Sequence, residues 1–327
     1  MIDAIAVVGP TGSGKTDLSI KLAEKLKTEI ISVDSMQFYK GMEIGTSAPP
    51  LEIRKTVPHH FVAFVPPDFE MSAGYFQNIA RREIERIKEK GKMPIIVGGS
   101  GLYLSAVIDG LFKGPGRCEE IRDKIKEEIR RYGIEEIFNR LKGIDPLYAE
   151  RLTSPRDVVR LVRALEVFEL TGKSYSQWHK EHQSTAKPLN VFIVGINWER
   201  ETLYERINLR VHEMIKKGWI EELLLLLERG YEKDIYRLKA LGYRELLKFI
   251  RGDHNLHTAI ENIKLHHRHY AKRQMIWFRA DKRVKWFYVK SENEFEKISE
   301  EVLIELDNLA SDALNKNEKC FLFRHLQ

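Results

Sequence analysis

The sequence predicts an α/β protein: a P-loop-type parallel sheet flanked by helices, with a helical insertion domain. Three observations lead there. Short apolar runs alternate with helix-period stretches through the first hundred residues. The first run opens onto Gly9-Pro10-Thr11-Gly12-Ser13-Gly14-Lys15-Thr16. From Arg117 to about Lys180 the strand-like runs stop and only helical patterns remain. Strands buried on both faces and alternating with helices argue for a parallel, doubly wound sheet.

The elements follow in order. Residues 4–8 form a short apolar strand, and Leu18, Ile20, Leu22, Ala23 and Leu26 mark the helix after the glycine-rich loop. A second strand over 29–33 ends at Asp34. Ser72 opens a helix carrying Phe76, Ile79, Ala80, Ile84 and Ile87, and Gly91 closes it. Residues 94–97 form a third strand that runs into Gly98-Gly99-Ser100-Gly101. Within the insertion, Ile121, Ile125 and Ile129, then Ile134, Ile137 and Leu141, then residues 158–170, have helical spacing. A strand over 190–196 returns the chain to the sheet, and long helices are expected over 200–227, 259–279 and 294–314. The expected domains are a catalytic core of 1–114 with 190–327, including the basic C-terminal helices, and an insertion of 115–189.

The chain has 327 residues, 31% of them charged and 43% hydrophobic, which is a globular composition with ample core. Cys118 and Cys320 stand too far apart for a cysteine zinc site and too few for a disulfide framework, so a reducing compartment is expected. No basic leader and no run of about 20 apolar residues is visible, so a cytoplasmic protein is expected. The net charge of +6 is unevenly spread. Residues 264–285 carry eight Lys or Arg against one acid, whereas 291–327 carry nine acids against four bases. Tyr270, Trp277 and Phe278 interleave with Arg268, Lys272, Arg273 and Arg279, a pattern that suits nucleic acid, because rings stack on bases while cations neutralise phosphates.

The loop Gly9–Thr16 fits G-x-x-x-x-G-K-[ST] between a strand and a helix. Its glycines let backbone N–H groups converge on phosphate oxygens, and the helix N-terminus adds a favourable dipole. Lys15 neutralises a terminal phosphate, and the Thr16 hydroxyl can hold Mg²⁺. The motif indicates a di- or triphosphate without saying which compound carries it. Asp34 can serve as the acid that a kinase needs beside its metal, while residues 94–97 end without one, so the acids permit a kinase without requiring it.

Further motifs stand in a specific order: Asp34-Ser35-Met36-Gln37, Tyr39-Lys40-Gly41-Met42, Gly45-Thr46, Pro58-His59-His60 and Gly98-Gly99-Ser100-Gly101-Leu102-Tyr103. Arg160-Leu161-Val162-Arg163-Ala164-Leu165-Glu166, Gly242-Tyr243-Arg244 and Tyr270-Ala271-Lys272-Arg273-Gln274 complete the set. Together with the phosphate loop they resemble the tRNA dimethylallyltransferases over roughly residues 3 to 290. The resemblance implies transfer of a dimethylallyl group from dimethylallyl diphosphate to N6 of the adenosine immediately 3′ of the anticodon, with Mg²⁺. The phosphate loop would then hold the donor's diphosphate, and a monomer acting on an anticodon stem-loop is expected.

That chemistry assigns roles. An adenine N6 is a weak nucleophile, and a base within reach must take its proton; Asp34 is the candidate. The leaving diphosphate needs fixed cations, expected from Lys15, Arg210 and, one turn away, Arg206, with metal on Thr16. The Ser100 hydroxyl would contact the bridging oxygen. The resemblance places tRNA contacts at Asp34, Ser35, Met36, Gln37 and Ser100, at Val159, Arg160, Leu161, Val162 and Arg163, and at Gly242, Tyr243 and Arg244. Arg122, Lys239, Lys272 and Arg273 join the set. Gln37 is suited to reading an adenine edge, and Arg160 and Arg163 to a phosphate backbone. The adjacent His59 and His60 read as structural rather than as a metal pair.

The chain departs from the family pattern in places. Serine stands at Ser100 where threonine is usual, which keeps the hydroxyl. Ser47-Ala48-Pro49 replaces Ala-Lys-Pro, and Tyr75 and Ala63 stand where acids are common. Two distant cysteines exclude the C-terminal zinc finger of eukaryotic relatives. The alternatives are an adenylate isopentenyltransferase acting on free nucleotide, a P-loop small-molecule kinase, and a non-catalytic RNA-binding protein.

Overall fold

The computed structural model describes residues 2–152, 154, 157–185 and 187–324. The chain divides into two compact units, Met1–Ile108 with Leu189–Gln327, and Asp109–Pro188. The side chain of Cys320 lies outside the described residues.

In the first unit β1 (Ala4–Val8) leads to α1 (Lys15–Leu26), then β2 (Ile30–Ser32), α2 (Leu51–Thr56), β3 (His59–His60), α3 (Ala73–Glu89), β4 (Ile95–Gly98) and α4 (Gly101–Ile108). The second unit holds α5 (Glu119–Tyr132), α6 (Ile134–Ile144), α7 (Pro146–Arg151), α8 (Val158–Thr171) and α9 (Tyr175–Thr185). The chain returns to the first with β5 (Val191–Trp198), α10 (Arg200–Lys216), α11 (Trp219–Glu228), α12 (Glu232–Leu238) and α13 (Tyr243–Ile250). It ends in α14 (Leu256–Ala280), β6 (Val284–Val289) and α15 (Glu294–Arg324).

The α/β class is as the sequence predicts. Six strands form one sheet in the order β3-β2-β4-β1-β5-β6, and every pair is parallel. Central β1 is in register with both neighbours, Val8 standing opposite Gly98 on β4 and Gly195 on β5. Side chains alternate between two cores. Ala4, Ala6, Val8 and Ile96 pack with Phe76 of α3, Val107 of α4 and Ile263 of α14. Ile5, Val7, Ile95 and Val194 pack with Leu18 and Leu22 of α1, Ile207 of α10 and Phe295 of α15. Both faces are therefore covered, and the carboxyl ends of the strands share one edge, where open parallel sheets bind ligands.

β3, α2, α4, α12 and α13 add to the elements read from the sequence, and two further regions differ from that reading. Residues 284–289, of which only 284–285 fell within the basic run read from the sequence, form β6, an edge strand whose Val284, Phe287 and Val289 are buried while Tyr288 faces out. The expected single helix over 200–227 is two helices, because Gly218 at φ 97° terminates α10 and starts α11. The second unit has its own core, built from Ile125, Ile137, Phe138, Leu141, Leu161 and Leu165.

Candidate active site

The strand edge carries the phosphate loop. β1 passes into Gly9, and the loop turns through Gly12 at φ 78° and Gly14 at φ 85°, the N-cap of α1. Only glycine holds such angles cheaply, and a Cβ on Gly14 would come within 2.2 Å of the Phe295 ring. The N-terminus of α1 therefore points its unpaired N–H groups into the site. Two distant side chains pin the loop. Trp198 Nε1 donates to the Ser13 carbonyl at 2.9 Å. The buried Gln274 amide accepts the Thr11 N–H at 2.8 Å and donates to the Gly99 carbonyl at 3.0 Å, tying the loop to the end of β4.

Above the loop lies a cavity of about 640 Å³. Its walls include Thr11 to Asp17, Asp34, Gln37, Arg206, Arg210 and Tyr270. The cations in it are held internally. Lys15 Nζ donates to the Pro10 carbonyl at 2.8 Å, and Arg210 Nε donates to Ser47 Oγ at 2.9 Å. Arg206 donates to the Gly12 carbonyl at 2.9 Å and lies 4.2 Å over the Trp198 ring. Burial pushes the Lys15 ammonium down to about 7; Arg210 adds to that and Asp34 opposes it. Burial likewise lowers Arg210, against the pull of Asp34 and Asp17. Burial raises the Asp17 carboxyl, and Glu292 adds to the rise. The site thus sets Lys15, Arg206 and Arg210 among the carboxylates of Asp17, Asp34 and Glu292 around one cavity.

Asp34 follows β2 and caps a turn, its Oδ1 accepting the Met36 N–H at 3.0 Å. Ser100 is nearly buried rather than open: its Oγ accepts the Ser35 N–H at 3.1 Å and lies 3.2 Å from Ser35 Oγ. Burial raises the Tyr270 hydroxyl, with Asp34 contributing and hydrogen bonding to Ser100 opposing. Gln37 donates to the Thr46 and Ser47 carbonyls, both at 3.3 Å, and accepts from Ser32 Oγ at 3.0 Å. Its amide is therefore engaged with its own turn rather than open to an adenine edge. Thr16 stands in the cavity wall with the carboxylates of Asp17 and Asp34, an all-oxygen donor set of the kind Mg²⁺ takes.

The expected RNA-contacting residues separate by burial. Lys239, Lys272 and Arg273 are exposed, as is Val159. Leu161 and Val162 are buried in the core of the second unit, so their side chains cannot meet RNA. Tyr243 is buried too, its hydroxyl bonded to Glu222 at 2.7 Å. Gly242 packs against Trp219, which a Cβ there would meet at 2.0 Å. Arg244 bonds to the Tyr236 carbonyl and lies over the Tyr236 ring. Arg160 is half exposed, 3.5 Å from Asp157, but its expected partner Arg163 turns inward. Arg163 and Arg122 both hold Glu166, at 2.7 Å and 2.8 Å, and Glu166 has no exposed side-chain surface. Of the three interleaved rings, Phe278 is core, Tyr270 lines the cavity, and only Trp277 is exposed.

Sequence reasoning missed Gln274, Glu292 and Glu222 as site residues. Gln274 lay within a quoted motif and could have been singled out; the other two carry no local signal. The histidine pair splits: His60 sits between Glu29 at 2.8 Å and Glu83 at 3.2 Å, with Arg86 and Lys90 neutralising those carboxylates, whereas His59 lines the cavity with its Nδ1 2.7 Å from the Val57 carbonyl oxygen.

The chain is similar to known proteins over most of its length. The family model described as IPP transferase matches residues 37–281. A tRNA dimethylallyltransferase of Geobacter sulfurreducens is 42% identical over 86% of this chain and 90% of its own length. One from a Thermoanaerobacter species is 40% identical over 92% of this chain and 96% of its own. The crystal structure of the tRNA isopentenylpyrophosphate transferase of Bacillus halodurans aligns with a TM-score of 0.68 at 36% identity, covering 94% of this chain and 98% of that one. A eukaryotic dimethylallyltransferase acting on tRNA aligns with a TM-score of 0.78 at 28% identity, covering 94% and 79%. Among the described residues no helix is long and apolar enough to cross a membrane.

Proposed function

The chain belongs to the IPP transferase family, and from that premise we propose how its cavity carries out dimethylallyl transfer to tRNA. The donor is dimethylallyl diphosphate and the acceptor is N6 of the adenosine immediately 3′ of the anticodon. The observation that carries the reading is the pairing of a cationic diphosphate cradle, made by the loop Gly9–Thr16 with Lys15, Arg206 and Arg210, with the carboxylate of Asp34 across one cavity.

The steps follow from those groups. The donor's diphosphate lies on the loop N–H groups, and its allylic carbon faces the cavity. The target adenosine leaves its stack, at a cost of a few kcal/mol, and presents N6. The allylic carbon–oxygen bond breaks with its electron pair going to the diphosphate, and the N6 lone pair forms the new carbon–nitrogen bond. Asp34 takes the N6 proton. Charge grows on the leaving diphosphate, where Lys15 and Arg210 stabilise it more than in the ground state. Mg²⁺, which the Thr16 hydroxyl would hold, would supply fixed positive charge beside the diphosphate. Exposed Arg160, Lys239, Lys272 and Arg273 supply cations for the RNA backbone.

Incubation with Mg²⁺, labelled dimethylallyl diphosphate and an anticodon stem-loop tests this, with mass analysis of the nucleosides. N6-dimethylallyladenosine at that position is expected. Label on free AMP alone would replace this reading with nucleotide prenylation. Transfer of the ATP γ-phosphate without prenylation would replace it with kinase chemistry.

A further inference from the structure

We propose that Glu222 and Tyr243 are positioning residues for this site: they hold the turn formed by residues 42–48, and that turn sets Arg210 and Gln37. The inference rests on the prenyl-transfer reading and adds the residues that align its machinery.

Glu222, on α11, is buried with its carboxylate across two backbone amides. Oε2 accepts the Ile44 N–H at 2.7 Å and Oε1 accepts the Gly45 N–H at 2.9 Å. Tyr243, the first residue of α13, donates its hydroxyl to the same Oε1 at 2.7 Å. The approach leaves no slack, since a Cβ on Gly45 would lie 2.4 Å from the Tyr243 hydroxyl and 2.1 Å from Trp219 Nε1. A carboxylate taken out of water this way is retained only when its hydrogen bonds are satisfied, so it specifies the turn's conformation tightly.

The far side of the turn faces the cavity. Ser47 Oγ receives Arg210 Nε, and the Thr46 and Ser47 carbonyls receive the Gln37 amide. Ser47 itself sits at φ 49°, a left-handed conformation that a serine keeps when its surroundings over-determine it. The Ser47 N–H to Ile44 carbonyl and Ala48 N–H to Glu43 carbonyl bonds, both 2.9 Å, are part of that constraint. Tyr243 has no exposed surface, so its effect on transfer runs through Glu222 and the turn rather than through contact with RNA.

The test is Tyr243→Phe, which keeps the ring and removes one hydroxyl. Its kcat for prenyl transfer should fall about tenfold, the scale of one buried hydrogen bond, while Kd for tRNA and its salt dependence stay at the wild-type values. Ser47→Ala, a change at the cavity wall, should lower kcat similarly. The double variant should be little worse than either single one, because both act on Arg210 through one turn. A weaker tRNA affinity with a shallower salt slope in Tyr243→Phe would overturn the proposal in favour of direct contact, and multiplying effects would overturn it in favour of independent roles. Should Tyr243→Phe fail to fold, Ser47→Ala decides alone, and an unchanged kcat overturns the proposal. Wild-type protein inert toward the allylic donor would sink the prenyl-transfer reading itself; an active wild type with unaffected variants sinks only this inference.

Discussion

Glu292 holds Arg206 at the mouth of the phosphate loop, its Oε1 lying 2.6 Å from Arg206 Nη1. The carboxylate sits where an anionic ligand would otherwise meet that guanidinium. On the proposed reading, an arriving diphosphate would displace that carboxylate from Arg206. The Glu292 side chain is 64% exposed, which keeps the ion pair weak. Glu292→Ala should tighten binding of inorganic diphosphate by roughly two- to fivefold in titration calorimetry. Weaker binding would show that Glu292 organises Arg206 rather than competing for it.

The lowered Lys15 ammonium predicts a pH dependence of that same binding. Its folded value is about 7 against the ordinary lysine value of 10.5. Between those values the unfolded chain holds more protons, so this group alone makes the folded state more stable as pH rises through the window. Ligand binding has the opposite sign, because the diphosphate needs the charged ammonium. Affinity should fall as pH rises above about 7, relative to a Lys15→Met variant that reports only the ligand's own ionisation. Parallel profiles for the two proteins would exclude Lys15 as the titrating group.

Asp34 should affect rate more than donor affinity. Asp34→Asn is expected to lower kcat by roughly 10²- to 10⁴-fold, the usual contribution of a positioned base. Donor Kd, measured in the presence of Mg²⁺, should change little. A comparable loss of donor binding would move Asp34 from proton acceptor to metal holder.

Arg160 and Arg163 should behave differently although they are three residues apart. Arg160→Ala should weaken tRNA binding and reduce the salt slope by about one. Arg163→Ala should instead destabilise the second unit, by about 1–3 kcal/mol, since it strips a partner from the buried Glu166. Burial raises the Glu166 carboxyl, but the Arg122 hydrogen bond, the Cys118 N–H and Arg163 outweigh that and hold it at about 2. The stability it contributes is present above the ordinary value of 4.5 and lost as pH falls toward about 2. Thermal melts of Glu166→Gln across that window should lack this acid transition. A wild-type melt that stays level there would contradict the assignment.

The phosphate loop was legible because its chemistry is local. Eight consecutive residues between a strand and a helix define the N–H cradle, and chain geometry does the rest. The parallel sheet was legible for a related reason: strands buried on both faces must read as unbroken apolar runs. β6 escaped because an edge strand with one neighbour keeps polar residues such as Lys285, and those look like part of a charge run. Arg163 was grouped with Arg160 because three-residue spacing says that two side chains share a helix face, not whether that face meets water or Glu166.

By itself, then, the sequence determined the sheet class, the glycine-rich phosphate-loop motif and the acid at the end of β2. Each of these depends on residues close together in the chain. Only the tertiary structure decided that Gln274 clamps Thr11 to Gly99, that Glu292 occupies Arg206, and that Glu222 and Tyr243 hold the turn beneath Arg210. These pairs join segments far apart in sequence, and a hydrogen bond depends on distance and direction in space, which no spacing along the chain encodes.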